Sequence, residues 1–307
     1  MFWKKKRIGL ALGGGGARGL AHIGVLRVLE KEGIPIHLIV GTSMGALVGG
    51  AYASGINPDE LQKKVGEYLN SAEFRSSAMN AFDIAHTKGE VGLAQKVQAY
   101  LRSRLYLIQA MFRPGLLSNE DFQSTIDYFI PDIQIEETRI PFRAVATDLV
   151  SGEEIVFSKG SLRRAVMASC AVPGAIAPLK EGERLLSDGG TICRIPSSVA
   201  KREGADIVIA VVVDRGIGFE ELRSVVDVYL RVSEIMGERL KRYELAEADV
   251  VILPMVGDLH WFDFSQAMNL IDEGEKAARG KLDAIRRLLP GIKKRFRFRK
   301  VPNSDKT

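Results

Sequence analysis

The chain has 307 residues, of which 46% are hydrophobic and 26% charged, so it can bury a sizeable core as one large α/β domain or two smaller ones. Two cysteines, Cys170 and Cys193, exclude a disulfide framework and fit a reducing compartment. The net charge of +5 is concentrated at the ends: residues 4–7 hold four basic groups and residues 284–304 eight, neither stretch holds an acid, and the remainder carries 31 basic against 38 acidic side chains.

The opening Met1-Phe2-Trp3-Lys4-Lys5-Lys6-Arg7 has the charge of an export signal's first region, but only a short apolar run separates it from four glycines and Arg18. That run is too short for an export core or a bilayer span, and no other run reaches transmembrane length. A first strand is expected over 7–12. It leads into Gly13-Gly14-Gly15-Gly16-Ala17-Arg18-Gly19, and 18–32 has helical apolar spacing. A glycine-rich loop opening a helix presents backbone N–H groups to an anion, either a phosphate or a tetrahedral oxyanion. A second strand over 36–41 feeds Gly41-Thr42-Ser43-Met44-Gly45, with a helix over 45–54 behind it. Strand, sharp turn carrying a serine in G-x-S-x-G, then helix is the context of a nucleophile elbow. The serine sits over a helix N-terminus, whose partial positive charge favours a developing oxyanion. Gly14, Gly16 and Gly19 also match a dinucleotide-binding loop, but that site needs a carboxylate where the second strand ends. Here the strand ends in Val40-Gly41-Thr42-Ser43, and no Gly-Lys-Ser/Thr follows for a P-loop, so the oxyanion reading prevails.

Helices are predicted over 58–69, 90–104 and 118–128, the last with Ser118-Asn119-Glu120-Asp121 as N-cap and first turn. The apolar, methionine-containing stretch 71–117 is the least regular. It is expected to form a lid or wall of an acyl-chain pocket, or else an ordinary helical layer. Strands over 142–147 and 154–157, a helix over 161–169 and a strand over 184–187 lead to Ser187-Asp188-Gly189-Gly190. There an aspartate at a strand end is followed by glycines that let another loop approach. Asp148 and Asp214 also end strands and are rival acids. A helix over 195–203, an uninterrupted β-branched run over 207–213, a helix over 219–247, a strand over 250–253 and a helix over 264–289 complete the elements. The β-branched run reads as a central strand buried on both faces. The alternation predicts an α/β fold, three-layer α/β/α with a mainly parallel central sheet.

Gly14-Gly15-Gly16-Ala17-Arg18-Gly19, Gly41-Thr42-Ser43-Met44-Gly45 and Asp188-Gly189-Gly190, in that order and spacing, resemble the motifs of the patatin-like phospholipase family. Ala168-Ser169-Cys170-Ala171-Val172-Pro173-Gly174 is similar to the family's segment before the aspartate, and the resemblance covers roughly residues 7–200. One departure is Gly13, where plant members carry aspartate and bacterial-type members commonly glycine. The resemblance implies a patatin-like fold and a Ser43–Asp188 dyad acting on acyl esters of phospholipids or lysophospholipids through an acyl-enzyme. It implies no catalytic histidine, metal or cofactor. It also implies an oxyanion hole drawn from Gly14, Gly15, Gly16 and Met44, with Arg18 fixing that loop or meeting the lipid phosphate. The same residues would serve an acyltransferase, and a non-catalytic lipid-binding or regulatory protein would keep the fold.

Among His22, His37, His86 and His260, only His260 follows Asp188, in an aromatic-rich stretch. A Ser43–Asp188–His260 triad is therefore the alternative. His22 reads as a packed or capping histidine. One catalytic domain is expected over 1–290, followed by a basic tail over 291–307. Basic residues beside Phe2, Trp3, Phe296 and Phe298 suit an anionic membrane surface better than nucleic acid, the other reading being a solvated tail. The expected place is the cytoplasm, peripheral on the inner face of the membrane.

Overall fold

The computed structural model describes residues 6–76, 115–117, 119–214, 216–218, 222 and 225–289. Ten strands are found among them: β1 (Ile8–Leu12), β2 (Leu38–Thr42), β3 (Gly115–Leu117), β4 (Phe142–Asp148), β5 (Glu154–Phe157), β6 (Gly174–Ile176), β7 (Leu179–Glu181), β8 (Arg184–Asp188), β9 (Ile207–Val211) and β10 (Val250–Ile252). Eight of these form one sheet in the order β10-β9-β1-β2-β4-β8-β7, with β5 also on β4. The run β10-β9-β1-β2-β4 is parallel throughout, while β5, β7 and β8 join antiparallel at one side. β3 and β6 form a separate parallel pair.

Side-chain alternation along the central strands supplies the two faces. Ile8, Leu10 and Leu12 of β1 point into the larger core, which also takes Leu26 and Leu29 of helix Ala21–Lys31, Val48 of helix Met44–Ser54 and Ile271 of helix Ala267–Leu288. Ala11 of β1 points the other way, with Val40, Val145 and Val208, against Val199 and Ala200 of helix Ser197–Arg202. These are the three layers the sequence predicts.

Helix Ala21–Lys31 and helix Ala267–Leu288 meet backbone to backbone. A Cβ on Gly24 would lie 1.9 Å from the Ile271 carbonyl oxygen, and one on Gly274 would lie 1.9 Å from that of Ala21. Arg27, buried beside the crossing, pairs with Glu275 at 2.7 Å and with Asp59 of helix Pro58–Leu69 at 2.7 Å.

Every strand expected from the sequence is present. The short β3, β6 and β7 were not foreseen, because three-residue strands show no period and Pro173 and Pro178 break the pattern around β6. The expected helix over 18–32 is a 3-10 turn, Gly16–Leu20, followed by an α-helix from Ala21. The helix over 219–247 is Val225–Leu245, and that over 264–289 is Ala267–Leu288. The expected helix over 90–104 and most of the lid segment, residues 77–114, lie outside the described residues, as do His86, Met1–Lys5 and the tail beyond Leu289.

Candidate active site

β1 and β2 lie side by side and parallel, so the loops after them emerge at the same sheet edge. After β2 the chain turns at Ser43, which has φ 54° and ψ −126° and is the one non-glycine residue with positive φ among the described residues. Such a backbone costs on the order of 1–3 kcal/mol and persists only when the surroundings hold it. They do so by close contact. A Cβ on Gly41 would lie 2.5 Å from the Ala46 Cα, and one on Gly45 2.2 Å from the Leu12 carbonyl oxygen. The two glycines of G-x-S-x-G thus serve approach of backbones, while the serine itself takes the strained turn. The Ser43 amide donates to the Ser169 hydroxyl at 2.9 Å, which in turn donates to the Val145 carbonyl at 2.6 Å. Ser169 is a support that reasoning from residue chemistry missed. Its sequence signal was its place in the Ala168–Gly174 segment.

The glycine loop lies against the elbow. The Gly13 amide donates to the Val211 carbonyl at 3.1 Å and the Gly14 amide to the Arg194 carbonyl at 3.0 Å. Gly14 therefore has no amide left for an anion, which departs from its expected place in the oxyanion hole. The amides of Gly15, Gly16 and Met44 have no acceptor among the described residues. Gly16 needs its lack of a side chain: φ is +57°, and a Cβ would lie 2.2 Å from the Trp261 carbonyl oxygen. Arg18 turns back on the loop, its Nε donating to the Gly15 carbonyl at 3.1 Å. Gly19 lets the loop press on the elbow, where its Cβ would lie 2.4 Å from the Met44 Cγ.

His22 is fully buried, with Nε2 2.8 Å from the Gly13 carbonyl. Burial lowers its pKa to about 4, against the opposing pull of that bond, so the ring is neutral and Nε2–H donates. It is a strut for the glycine loop, in keeping with the packed reading. His37 accepts the Ile8 amide through Nδ1 at 3.1 Å and ties two strands. His260 lies in the loop after β10, its ring 5.9 Å from that of Trp261 and 6.2 Å from that of Phe262.

Asp188 ends β8, antiparallel to β4, and is 5% exposed. Its amide donates to the Ala171 carbonyl at 2.9 Å, and its carbonyl accepts the Thr147 hydroxyl at 3.0 Å. Burial raises the carboxyl pKa to about 6. A hydrogen bond from the Ser43 hydroxyl, one from the Gly190 amide at 2.6 Å, and the Arg194 charge act against that rise. Among the described residues the groups acting on this carboxylate are the Ser43 hydroxyl, the Gly190 amide and the Arg194 charge, and no histidine is one of them. The rival acids are engaged elsewhere. Asp148 accepts the amides of Val150 and Leu185 and the Ser151 hydroxyl, and Asp214 pairs with Lys241 at 2.9 Å.

Ser43 opens on a cavity of about 100 Å³. Its walls are Leu20, Ile23, Met44, Leu47 and Val48, then Leu61, Val65 and Tyr68, then Phe122 and Phe129, with Trp261, Phe262 and Phe264 closing one side. Phe74, from the described start of the 71–117 segment, also lines it. So does Cys170, whose thiol is pushed well above its ordinary pKa by burial and by Asp188. The surface it presents is almost wholly apolar. Among the described residues no group of three or more His, Cys, Asp or Glu side chains is arranged to hold a metal ion, and no helix is long and apolar enough to cross a membrane.

Fold and site define a three-layer α/β protein built around a serine elbow and an adjoining carboxylate. The pattern of the patatin-like phospholipase family matches residues 10–200, and the chain belongs to that family. An uncharacterized NTE family protein of Mycobacterium tuberculosis is 36% identical over 205 residues, covering 67% of this chain and 48% of that protein. Human patatin-like phospholipase domain-containing protein 6 is 34% identical over 207 residues, covering 66% of this chain and 13% of the human protein. The match thus spans about half the length of the mycobacterial relative and a small part of the human one. The crystal structure of VipD from Legionella pneumophila aligns at 15% identity with a TM-score of 0.47, covering 92% of this chain and 67% of that one.

Proposed function

We propose that the chain is a serine lipid acyl hydrolase of the phospholipase A or lysophospholipase type. The observation that carries this is the Ser43 hydroxyl on the buried Asp188 carboxylate at the wall of an apolar cavity. Ser43 Oγ attacks the acyl carbonyl and Asp188 takes its proton as general base. The amides of Gly15, Gly16 and Met44, which have no acceptor among the described residues, receive the oxyanion. Arg18 and His22 hold the loop that presents them. The tetrahedral adduct expels the glycerol oxygen, which takes the proton back from Asp188, and leaves an acyl-enzyme. Water, deprotonated by Asp188, attacks the acyl-enzyme, and the second tetrahedral adduct releases the fatty acid as Ser43 Oγ takes the proton back from Asp188. The cavity holds the acyl chain, and the basic termini favour docking on anionic lipid.

Wild type and Ser43→Ala are incubated with a mixed phospholipid panel and the products read by mass spectrometry, with fluorophosphonate labelling alongside. Wild type is expected to release fatty acid and lysolipid and to take the label. The folded Ser43→Ala variant is expected to do neither. Labelling of the variant as strong as wild type would overturn the assignment, and new esters in place of free acid would make the enzyme an acyltransferase.

A further inference from the structure

The segments assigned above to catalysis converge on one short stretch of backbone, Cys193-Arg194-Ile195. The Cys193 carbonyl accepts the Thr42 hydroxyl at 3.0 Å, next to the elbow serine. The Arg194 carbonyl accepts the Gly14 amide at 3.0 Å, and the Cys193 amide returns to the Gly189 carbonyl beside Asp188 at 2.7 Å. Elbow, glycine loop and aspartate loop are thereby joined through three residues. What fixes those residues is a side chain from far along the chain. Glu244, 6% exposed, accepts the Arg194 amide on one carboxylate oxygen at 2.8 Å and the Ile195 amide on the other at 3.0 Å.

By itself the place is a poor one for a carboxylate. It is in the last turn of helix Val225–Leu245, where the helix dipole disfavours negative charge. Burial raises its pKa to about 7, and the two amide bonds work against that. The same helix makes room for the Arg194 side chain, since a Cβ on Gly237 would lie 2.3 Å from its Nη1. One turn before Glu244, Lys241 holds Asp214 at 2.9 Å, just past Val213, whose side chain abuts Gly15.

We infer that Glu244, with the Arg194 it clamps, is a positioning residue for the reaction at Ser43. It fixes the backbone that joins elbow, oxyanion loop and Asp188. The inference rests on the hydrolase reading. Neither Glu244 nor any residue of Cys193–Ile195 lines the acyl cavity, so loss of the clamp acts on turnover more than on substrate binding.

The test compares wild type, Glu244→Ala, Glu244→Gln and the exposed Glu247→Gln on a soluble short-chain ester, with thermal unfolding beside and active sites counted by fluorophosphonate. Glu244→Ala is expected to lower kcat by about tenfold to a hundredfold, the scale of a small misplacement of reacting groups. KM should stay within about threefold. Glu244→Gln keeps one acceptor oxygen but sets an amino group against the other amide, so it should fall between. Glu247→Gln should match wild type. A purely structural Glu244 predicts a lower Tm with kcat per active site unchanged. Should Glu244→Ala fail to fold, Glu244→Gln decides: wild-type kcat in the folded variant overturns the inference. A wild type without turnover overturns the hydrolase reading and the inference together. Turnover in wild type beside unchanged Glu244 variants overturns the inference alone.

Discussion

At Asp188, stability and the proposed chemistry pull in opposite directions. The base must be ionised, yet burial lifts its pKa from the ordinary carboxylate value to about 6. Activity on a soluble ester should therefore fall about tenfold per pH unit below about 6. Asp188→Asn should lower it by about 10³-fold or more at every pH. For stability the sign reverses. A folded pKa above the unfolded one means that the folded protein holds the proton more tightly. The group's favourable contribution is thus complete below about 3.8 and is lost as pH rises through about 6. Above that, the ionised carboxylate costs the fold up to about 3 kcal/mol. Asparagine keeps an acceptor for the Gly190 amide without the charge. Asp188→Asn should therefore melt above wild type at pH 7.5, with the difference shrinking toward pH 4. A variant that melts below wild type at pH 7.5 would show that the carboxylate is stabilising after all.

At the scale of elements, helix Ala267–Leu288 gives two glycines opposite meanings. Gly274 sits in the crossing with helix Ala21–Lys31, where an added methyl group meets the Ala21 carbonyl at 1.9 Å. Gly280, two turns on, is exposed with nothing within 4 Å of the same position. Gly274→Ala should cost about 1–3 kcal/mol by forcing the helices apart. Gly280→Ala should gain up to about 1 kcal/mol from helix propensity alone. Chemical denaturation of the two variants reads the difference, and equal signs would mean that the crossing is looser than described. Sequence periodicity located both helices. It could not tell these glycines apart, since that depends on which residues another helix brings opposite them.

At the scale of the whole molecule, the acid-free basic stretches 4–7 and 284–304 bear on where the protein docks. Leu289 is buried against the core, so a truncation that spares the fold must cut after it. The cut removes six of the twelve clustered basic groups. Binding to anionic vesicles should weaken, with soluble-ester hydrolysis nearly unchanged. Raising salt should mimic the cut, because exposed charges are screened within about 8 Å at physiological ionic strength. Co-sedimentation at low and high salt measures this. Equal binding of both proteins at low salt would leave the tail as a solvated extension.

The sequence by itself determined the longer strands, most helices, the layer order and the candidate residues Ser43 and Asp188. Each rests on local chemistry: a period of two or of 3.6, a β-branched run, a serine between glycines at a strand end. Tertiary structure decided what no local pattern encodes. It committed the Gly14 amide to Arg194 and left those of Gly15, Gly16 and Met44 without an acceptor among the described residues. It turned Arg18 onto its own loop and His22 onto Gly13. It brought Ser169 under the elbow from 126 residues away and Glu244 to Arg194 from 50. A buried polar group must find its partner wherever the fold supplies one, so these contacts follow from the packing of the layers.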